Sequence, residues 1–221
     1  MKALLFDLDG TILDRKKSLL DFVEWQVNGM LKNDISDKKL FISRFIELDD
    51  NGYVWKDKVY ESLIKEFSIK NWSVNDLLKS YELCFCSFSV PILGVIDAIK
   101  KAKNMGLKIG LISNGKSPFQ ERNFNSLGIS HLFDVVVISE AVGLRKPDKE
   151  IFNYACEKLD VKPSESIFIG DSVKADICGS NNAGMFSIFI ANQSKLQCEE
   201  ANITLSKYSD LINIINNIKN V

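Results

Sequence analysis

Residues 4–14 read LLFDLDGTILD, an apolar run that leads directly into Asp7 and Asp9, two aspartates one residue apart. A short apolar run that ends in polar turn residues is typical of a buried β-strand. Two carboxylates at the end of such a strand repel each other, so the stretch predicts either a bound positive charge or an ordinary turn. In the turn interpretation, Gly10 adopts a positive φ and Thr11 caps a helix.

Strand-like and helix-like segments alternate from about residue 92 onward. Short, continuously apolar strands bounded by glycine and polar turns suit a parallel sheet that is covered on both faces. The pattern therefore predicts an α/β, doubly wound, Rossmann-like domain of at least five strands, built from residues 1–14 and 92–221. Its predicted strands are KALLFDL, LKIGLIS, FDVVVIS, SIFIG and MFSIFIA, and its predicted helices are VIDAIKKAKNM, FQERNFNSLG, KEIFNYACEKL, KADICGSNNAG and YSDLINIINNIK.

The interval between the first two strands, residues 15–91, contains four segments whose apolar residues recur three or four positions apart. That spacing places the apolar side chains on one face of a helix. We expect four amphipathic helices that form a small bundle, with Phe22 and Trp25 in its core. The first segment shows the pattern at Leu19, Phe22, Val23, Val27 and Met30.

The composition is that of a globular protein without concentrated charge. Lys and Arg number 28 against 29 Asp and Glu, which gives a formal net charge of -1. This balance argues against binding to nucleic acid or to a membrane surface, since both need concentrated positive charge. The five cysteines form no CxxC pair and there is one histidine, so no zinc site is predicted. Without a signal peptide or a run of roughly 20 apolar residues, we expect a cytoplasmic protein.

Polar loops follow four of the predicted strands. The carboxyl ends of parallel strands share one edge of the sheet, and ligands bind at that edge where the strand order reverses. Each loop alone is typical of a turn or a helix cap, but together they predict one site. The loops are Asp7-Leu8-Asp9-Gly10-Thr11, Ser113-Asn114-Gly115, Arg145-Lys146-Pro147 and Gly170-Asp171-Ser172, with Asp176 further along.

The charges of these loops make chemical sense as a single site. Asp7, Asp9 and Asp171 bring three carboxylates together, and oxygen ligands without histidine or cysteine favour Mg²⁺ or Mn²⁺ over zinc. Lys146 adds a fixed positive charge, while the Ser113 hydroxyl and the backbone of the following turn offer hydrogen-bond donors to an anion. A cation, a lysine, a hydroxyl and amide donors that converge are what a transferring phosphoryl group requires.

The order DxDGT, SNG, KP and GDxxxxD resembles the four motifs of the haloacid dehalogenase (HAD) superfamily over essentially the whole chain. The helical insert after the first motif resembles the type 1 cap of that superfamily, which sets substrate choice. The resemblance implies that Asp7 is the nucleophile and forms an aspartyl-phosphate. It implies that Asp9 protonates the leaving oxygen and then activates water, and that Lys146 holds Asp7 and the phosphate together.

The same resemblance implies the remaining site residues. Ser113 and the amide of Asn114 hydrogen-bond the phosphoryl oxygens, and Thr11 either assists near the nucleophile or only fixes the turn. The cofactor implied is Mg²⁺, with Mn²⁺ as a substitute. Its ligands are the side chains of Asp7 and Asp171 and the backbone carbonyl of Asp9, with Asp176 in the second layer around the metal.

The predicted function is that of a Mg²⁺-dependent phosphatase, a monomer or homodimer, which hydrolyses the phosphate monoester of a small metabolite. Three alternatives stay open: a sugar phosphomutase, a 2-haloacid dehalogenase and a non-enzymatic protein that uses the fold for binding. Asp9 and Asp171 favour phosphoryl transfer, because dehalogenases of this superfamily need neither that acid nor a metal. In the insert, Arg44, Tyr53 and Lys56 are candidates to meet the leaving group. In the alternative interpretation, Trp55 and Tyr53 belong to the cap core and Arg44 lies on a solvated helix face.

Overall fold

The computed structural model describes residues 1–191 and 196–219. The chain divides into two compact units. One unit consists of Met1–Asp14 and Pro91–Val221, and we call it the sheet unit. The other is Arg15–Val90, the helical unit. The chain re-enters the sheet unit beside its own first loop, because the Ile92 amide donates a 2.8 Å hydrogen bond to the Ile12 carbonyl.

The sheet unit contains one parallel sheet whose first strand lies in the middle. The strand order is β3-β2-β1-β4-β5-β6, so the order reverses at β1 and the edge beside β1 and β4 is where such sheets bind ligands. This is the α/β architecture that the sequence predicts, and the three-residue strand β6 adds to the predicted five. The strands are β1 (Ala3–Phe6), β2 (Lys108–Ser113), β3 (Val135–Ile138), β4 (Ser166–Gly170), β5 (Phe186–Ile190) and β6 (Ile203–Leu205).

The helical unit contains four helices with buried aromatic side chains between them. Phe22 is fully buried and packs edge-on against Tyr81, with ring centroids 5.4 Å apart. The prediction that Trp25 lies in the core is wrong, because 40% of this residue is exposed. Its ring packs against Phe22 and Phe88, 5.8 and 5.6 Å away, and the rest of the indole remains at the surface. The helices are α1 (Arg15–Asn28), α2 (Lys38–Asp49), α3 (Lys56–Glu66) and α4 (Val74–Cys84).

A buried cluster of charged side chains joins three parts of the helical unit. Asp49, at the end of α2, accepts two hydrogen bonds from the Arg15 guanidinium at 2.8 and 2.9 Å and pairs with the Lys56 ammonium. Lys56 is 1% exposed, so this candidate for contact with a leaving group lies buried in the helical unit. Arg44 forms ion pairs with Glu47 and Glu66. Tyr53 is 83% exposed, so the alternative that places it in the cap core is wrong.

Helices of the sheet unit follow its strands in the predicted alternation. The segment KADICGSNNAG departs from the expected single helix, because a π-helical turn, Val173–Cys178, precedes a short α-helix. Within the described residues, none of the helices combines the length and the apolar character that a membrane crossing requires. The helices are α5 (Val95–Asn104), α6 (Phe119–Ser126), α7 (Ser139–Val142), α8 (Lys149–Lys158), α9 (Gly179–Asn182) and α10 (Leu211–Lys219).

Candidate active site

Strand pairing fixes where the first aspartate loop begins. Phe6, the last residue of β1, lies beside Leu111 of β2 and Ile169 of β4. The next amide, that of Asp7, still donates a 2.9 Å hydrogen bond to the Ile169 carbonyl. Asp7 therefore follows directly from the central strand, and its backbone is held by the sheet rather than by a loop.

Lys146 connects the second half of the chain to this aspartate. Its buried ammonium lies 2.6 Å from Asp7 Oδ1, 2.8 Å from Asp176 Oδ1 and 2.8 Å from the Ile112 carbonyl oxygen. Burial disfavours the charged ammonium, but the neighbouring Asp176 and Asp7 carboxylates outweigh this effect and raise the pKa of Lys146. Lys146 is therefore a fixed positive charge at the end of β1.

Three carboxylates converge around that single ammonium. Asp7, Asp171 and Asp176 each offer an oxygen, and these oxygens lie within 4.8 Å of one another. Burial raises the pKa of Asp7 well above its ordinary value, and the Asp176 and Asp171 charges raise it further against the opposing effect of Lys146. Partial burial, followed by the Asp176 charge, raises the pKa of Asp171 to about 7. The cluster thus carries more negative charge than Lys146 balances.

The donor set of the cluster fits a hard divalent cation. All three side chains offer carboxylate oxygens, and no histidine or cysteine belongs to the group of potential ligands. Mg²⁺ and Mn²⁺ prefer such oxygen ligands, whereas zinc favours nitrogen and sulfur. Burial first, and then the neighbouring carboxylates, raise the pKa of Asp7 and Asp171, and a divalent cation would favour their charged forms.

Asp176 reaches this cluster from the π-helical turn. The Ser172 amide donates a 2.9 Å hydrogen bond to Asp176 Oδ2, which leaves Oδ1 beside Lys146. The side chain passes directly over the end of β4, since a Cβ atom on Gly170 would lie 2.5 Å from Asp176 Cγ. Glycine at position 170 therefore gives Asp176 the room to reach Lys146.

The Asp9 carboxylate points to a different partner from that of Asp7. Asp9 is half-buried, and its Oδ2 accepts a 2.6 Å hydrogen bond from Gln120 Nε2. The same nitrogen lies 3.2 Å from Ser113 Oγ, at the end of β2. The two aspartates of the first loop therefore have distinct environments, one in the ion-paired cluster and the other bound by a neutral amide.

Gln120 is a site residue that sequence reasoning missed. It is buried on the first turn of α6, together with Phe119, Asn123 and Phe124. Positions 119, 120, 123 and 124 form one continuous helical stripe, because residues four apart lie on the same face. Two amide side chains within an otherwise apolar buried stripe were the available signal, since buried polar groups usually have hydrogen-bond partners.

The Ser113-Asn114-Gly115 turn is held mainly by hydrogen bonds to the lysine loop and to α7. The Asn114 side chain donates to the Lys146 carbonyl at 2.9 Å and accepts from the Lys146 amide at 3.0 Å. The Gly115 amide donates to Ser139 Oγ at 3.0 Å. The expectation that Gly115 offers its N–H to an anion is therefore wrong. The Asn114 side chain joins two loops.

The other end of the first loop is held from the last part of the chain. Tyr208 begins the last predicted helical segment and lies in its 3₁₀ turn, Tyr208–Asp210. Its hydroxyl donates a 2.8 Å hydrogen bond to the Thr11 carbonyl, a contact that the sequence did not reveal. Burial raises the pKa of Tyr208, and the charges of Asp7 and Asp171 add to the effect. The Thr11 hydroxyl is buried and has no hydrogen-bond partner among the described residues. Both roles expected for the Thr11 side chain stay predictions.

Comparison with known proteins places these residues in a family context. Residues 4–190 match the profile described as haloacid dehalogenase-like hydrolase. A glyceraldehyde 3-phosphate phosphatase of Methanopyrus kandleri is 28% identical over 86% of this chain and 84% of its own. A pyrophosphatase, PpaX, of Bacillus cereus is 25% identical over 99% of this chain and 98% of its own.

A solved structure gives the same architecture. It is that of YfnB from Bacillus subtilis, a HAD-hydrolase candidate crystallised with bound magnesium. It superimposes with a TM-score of 0.75 at 25% sequence identity. The alignment covers 97% of this chain and 98% of the other.

Proposed function

The chain belongs to the haloacid dehalogenase-like hydrolase family, and from this premise we propose that it is a Mg²⁺-dependent phosphatase. We propose that its substrate is a small phosphorylated metabolite, cleaved at a phosphate monoester through an aspartyl-phosphate on Asp7. The observation that carries the proposal is the different surroundings of two neighbouring acids. Asp7 lies 2.6 Å from Lys146, whereas Asp9 turns away to Gln120.

The proposed reaction has two displacements at phosphorus. An Asp7 carboxylate oxygen attacks the phosphorus atom, the bond to the leaving oxygen breaks, and Asp9 gives its proton to that oxygen. Asp9 then takes a proton from water as the water oxygen attacks the phosphorus of the aspartyl-phosphate. Inorganic phosphate leaves, the Asp7 carboxylate is regenerated, and Asp9 holds its proton again.

The remaining residues bind and orient the phosphoryl group. Lys146 lies at hydrogen-bond distance from Asp7 and lowers the repulsion between that carboxylate and an approaching phosphate. Ser113 Oγ accepts a hydrogen bond from Gln120, so its own proton can be donated to a phosphoryl oxygen. We assign the backbone amide of Asn114 the same role.

We propose that Mg²⁺ is held by Asp7, Asp171 and the backbone carbonyl of Asp9, with Asp176 beside them, and that Mn²⁺ can replace it. When bound, this cation neutralises negative charge on the phosphoryl oxygens. The convergence of the Asp7, Asp171 and Asp176 oxygens within 4.8 Å supports the proposal. The related YfnB structure, which is bound to magnesium, supports it as well.

The names of the relatives favour phosphatase activity over the alternatives. Both relatives described above are named as enzymes that release phosphate or cleave pyrophosphate. The phosphomutase, dehalogenase and binding-protein interpretations predict other outcomes in an activity screen. A cytoplasmic location and a monomeric or homodimeric state stay predictions.

The direct test is a screen of the purified protein against a panel of phosphate monoesters with Mg²⁺. We expect hydrolysis of p-nitrophenyl phosphate that a chelator removes and that added Mg²⁺ restores. Asp7→Asn is expected to abolish turnover while the protein remains folded. The matched control is Asp160→Asn, a change at an exposed acid of the same unit, which is expected to keep full activity. Wild-type turnover in Asp7→Asn contradicts the proposed nucleophile.

A further inference from the structure

Gln120 has a defined hydrogen-bond arrangement between two proposed site residues. Its Nε2 donates to Asp9 Oδ2 at 2.6 Å and to Ser113 Oγ at 3.2 Å. A carboxamide nitrogen carries two N–H groups, so both are used. Its Oε1 accepts a 3.4 Å hydrogen bond from Asn123 Nδ2. Asp9 Oδ2 is the acceptor of this hydrogen bond, so the nitrogen end of the amide faces Asp9.

The position of this side chain is also fixed by packing. Gln120 is 4% exposed, and a Cβ atom on Gly115 would lie 2.5 Å from Gln120 Cγ. The stem of Gln120 therefore occupies the space that the absence of a side chain at Gly115 leaves. A buried amide with this packing and with hydrogen bonds at both ends has little freedom to rotate.

We propose that Gln120 is a positioning residue that sets the direction of the Asp9 carboxylate. The N–H from Gln120 occupies Oδ2, so Oδ1 is the oxygen that delivers the proton to the leaving group. The same amide ties this orientation to Ser113, which binds the phosphoryl group in the proposed function. The inference rests on that function, and it assigns Gln120 to the step in which the ester bond breaks.

The proposal has a consequence that depends on the leaving group. An alkyl leaving group needs a proton from Asp9 as its bond to phosphorus breaks, whereas p-nitrophenolate leaves readily without one. The value of kcat/KM reports the steps up to the first irreversible one, here the transfer of the phosphoryl group to Asp7. Water attack on the aspartyl-phosphate is common to all esters and affects only kcat. The ratio of kcat/KM values for an alkyl and an aryl ester therefore isolates the function of Gln120.

The experiment compares the wild type with Gln120→Met, which keeps the side-chain volume and removes both N–H donors. The substrates are p-nitrophenyl phosphate and the best alkyl phosphate from the screen. For Gln120→Met we expect kcat/KM to fall about 10- to 100-fold on the alkyl ester. On the aryl ester we expect a fall of about 3-fold or less, since little protonation is needed. Gln120→Glu, which places an acceptor against Asp9, is expected to give a larger change of the ratio and serves as the second variant.

Two further variants separate positioning from stability. Phe124→Leu alters a buried residue on the same helix whose ring packs against Phe133, and we expect it to lower the stability while leaving the ratio unchanged. In the background of Asp9→Asn, we expect Gln120→Met to leave the ratio unchanged, because the proton donor is already absent. If Gln120→Met changes the ratio as much in the Asp9→Asn background as it does in the wild type, the proposal is contradicted.

The outcomes distinguish this inference from the function on which it rests. If the wild type hydrolyses neither ester, the proposed function fails, and this inference fails with it. If the wild type is active but Gln120→Met and Gln120→Glu lose activity equally on both esters, the function stands and the positioning role is overturned. A selective loss on the alkyl ester supports the proposal.

Discussion

Gly10 passes so close to Asp171 that a Cβ atom at position 10 would lie 2.7 Å from Asp171 Cγ. Gly10 also adopts a φ of +80°, a conformation that residues with a Cβ atom rarely adopt. The first aspartate loop and the fourth polar loop thus meet at a point where only glycine fits. This close approach brings Asp7 and Asp9 near to Asp171.

We expect Gly10→Ala to reduce activity by about 100-fold or more, because the new methyl group must displace the Asp171 carboxylate from the site. The measurement is kcat/KM with p-nitrophenyl phosphate, together with the free energy of unfolding. Gly106→Ala is the matched control, since Gly106 has a φ of +77° but nothing within 4 Å of its Cβ position.

The control separates backbone strain from the collision with Asp171. Backbone strain alone is expected to lower the free energy of unfolding of both variants by about 1–2 kcal/mol. Gly106→Ala is expected to keep its activity. Equal activity in the two variants would show that the approach of Gly10 to Asp171 has no part in the site.

Lys146→Met is expected to destabilise the sheet unit as well as to abolish turnover. The ammonium is buried with two carboxylate neighbours, Asp7 and Asp176, and its removal leaves their charges without compensation. Breaking a buried ion pair in this way costs about 3–5 kcal/mol. The measurement is urea unfolding in the presence of a chelator, with the change at exposed Lys149, Lys149→Met, as the control. Equal stability of the two variants would contradict the buried ion-pair arrangement.

Much of the fold could be predicted because its signals are local. Apolar strands and intervening helices identify a parallel sheet, and parallel strands bring their carboxyl ends to one edge. The four polar loops could therefore be grouped although Asp7 and Lys146 lie far apart in the sequence. Strand β6 escaped prediction because a segment of three residues, Ile203–Leu205, is too short to show a pattern.

Residues that depend on tertiary contacts could not be predicted in the same way. Gln120 and Tyr208 belong to helical segments whose polar residues look solvated, and only the packed structure shows that they bind Asp9 and Thr11. Lys56 resembles a residue exposed in a turn, yet it pairs with Asp49, which precedes it by seven residues. Its burial follows from that pairing, which no hydrophobic pattern reveals.

The charge cluster of the helical unit makes its stability dependent on pH. Burial alone would raise the pKa of Asp49, but hydrogen bonds and charge from Arg15, together with the Lys56 charge, lower it below the ordinary 3.8. A lowered pKa contributes stability that is present above the unfolded-state value and is lost as the pH falls through the folded-state value. We therefore expect the free energy of unfolding of the wild type to decline as the pH falls from the unfolded-state pKa of Asp49 to its lower folded-state pKa.

Asp49→Asn tests this dependence by urea unfolding between about pH 3 and pH 7. At pH 7 the variant is expected to be less stable by about 3–5 kcal/mol, because the buried Lys56 ammonium loses the negative charge of Asp49. The difference is expected to begin to shrink below the ordinary pKa of 3.8, where the unfolded chain takes up a proton, and to shrink further as the pH falls through the lowered folded-state pKa of Asp49. Asp21→Asn, at an exposed pair with Lys17, is the control and is expected to cost about 0.5 kcal/mol or less. A difference that stays constant down to acid pH would contradict the assignment.

Asp9→Asn separates acid catalysis from metal binding. We expect kcat to fall by about 10²- to 10⁴-fold, because the side chain no longer transfers a proton. The Mg²⁺ affinity is expected to remain close to that of the wild type, since the proposed ligand at this position is the backbone carbonyl. Calorimetric titration with Mg²⁺ gives the affinity, and a variant that no longer binds Mg²⁺ would contradict this division between side chain and backbone.

The central claim is that the Asp7 carboxylate becomes esterified by the transferred phosphoryl group beside a divalent cation. A crystal structure of the protein with Mg²⁺ and beryllofluoride, a mimic of the phosphoryl group, tests it most directly. We predict beryllofluoride bonded to an Asp7 carboxylate oxygen, with Mg²⁺ bound by Asp7 and Asp171 and Lys146 beside the fluorides. Beryllofluoride absent from Asp7, with the magnesium bound elsewhere on the protein, would contradict the account.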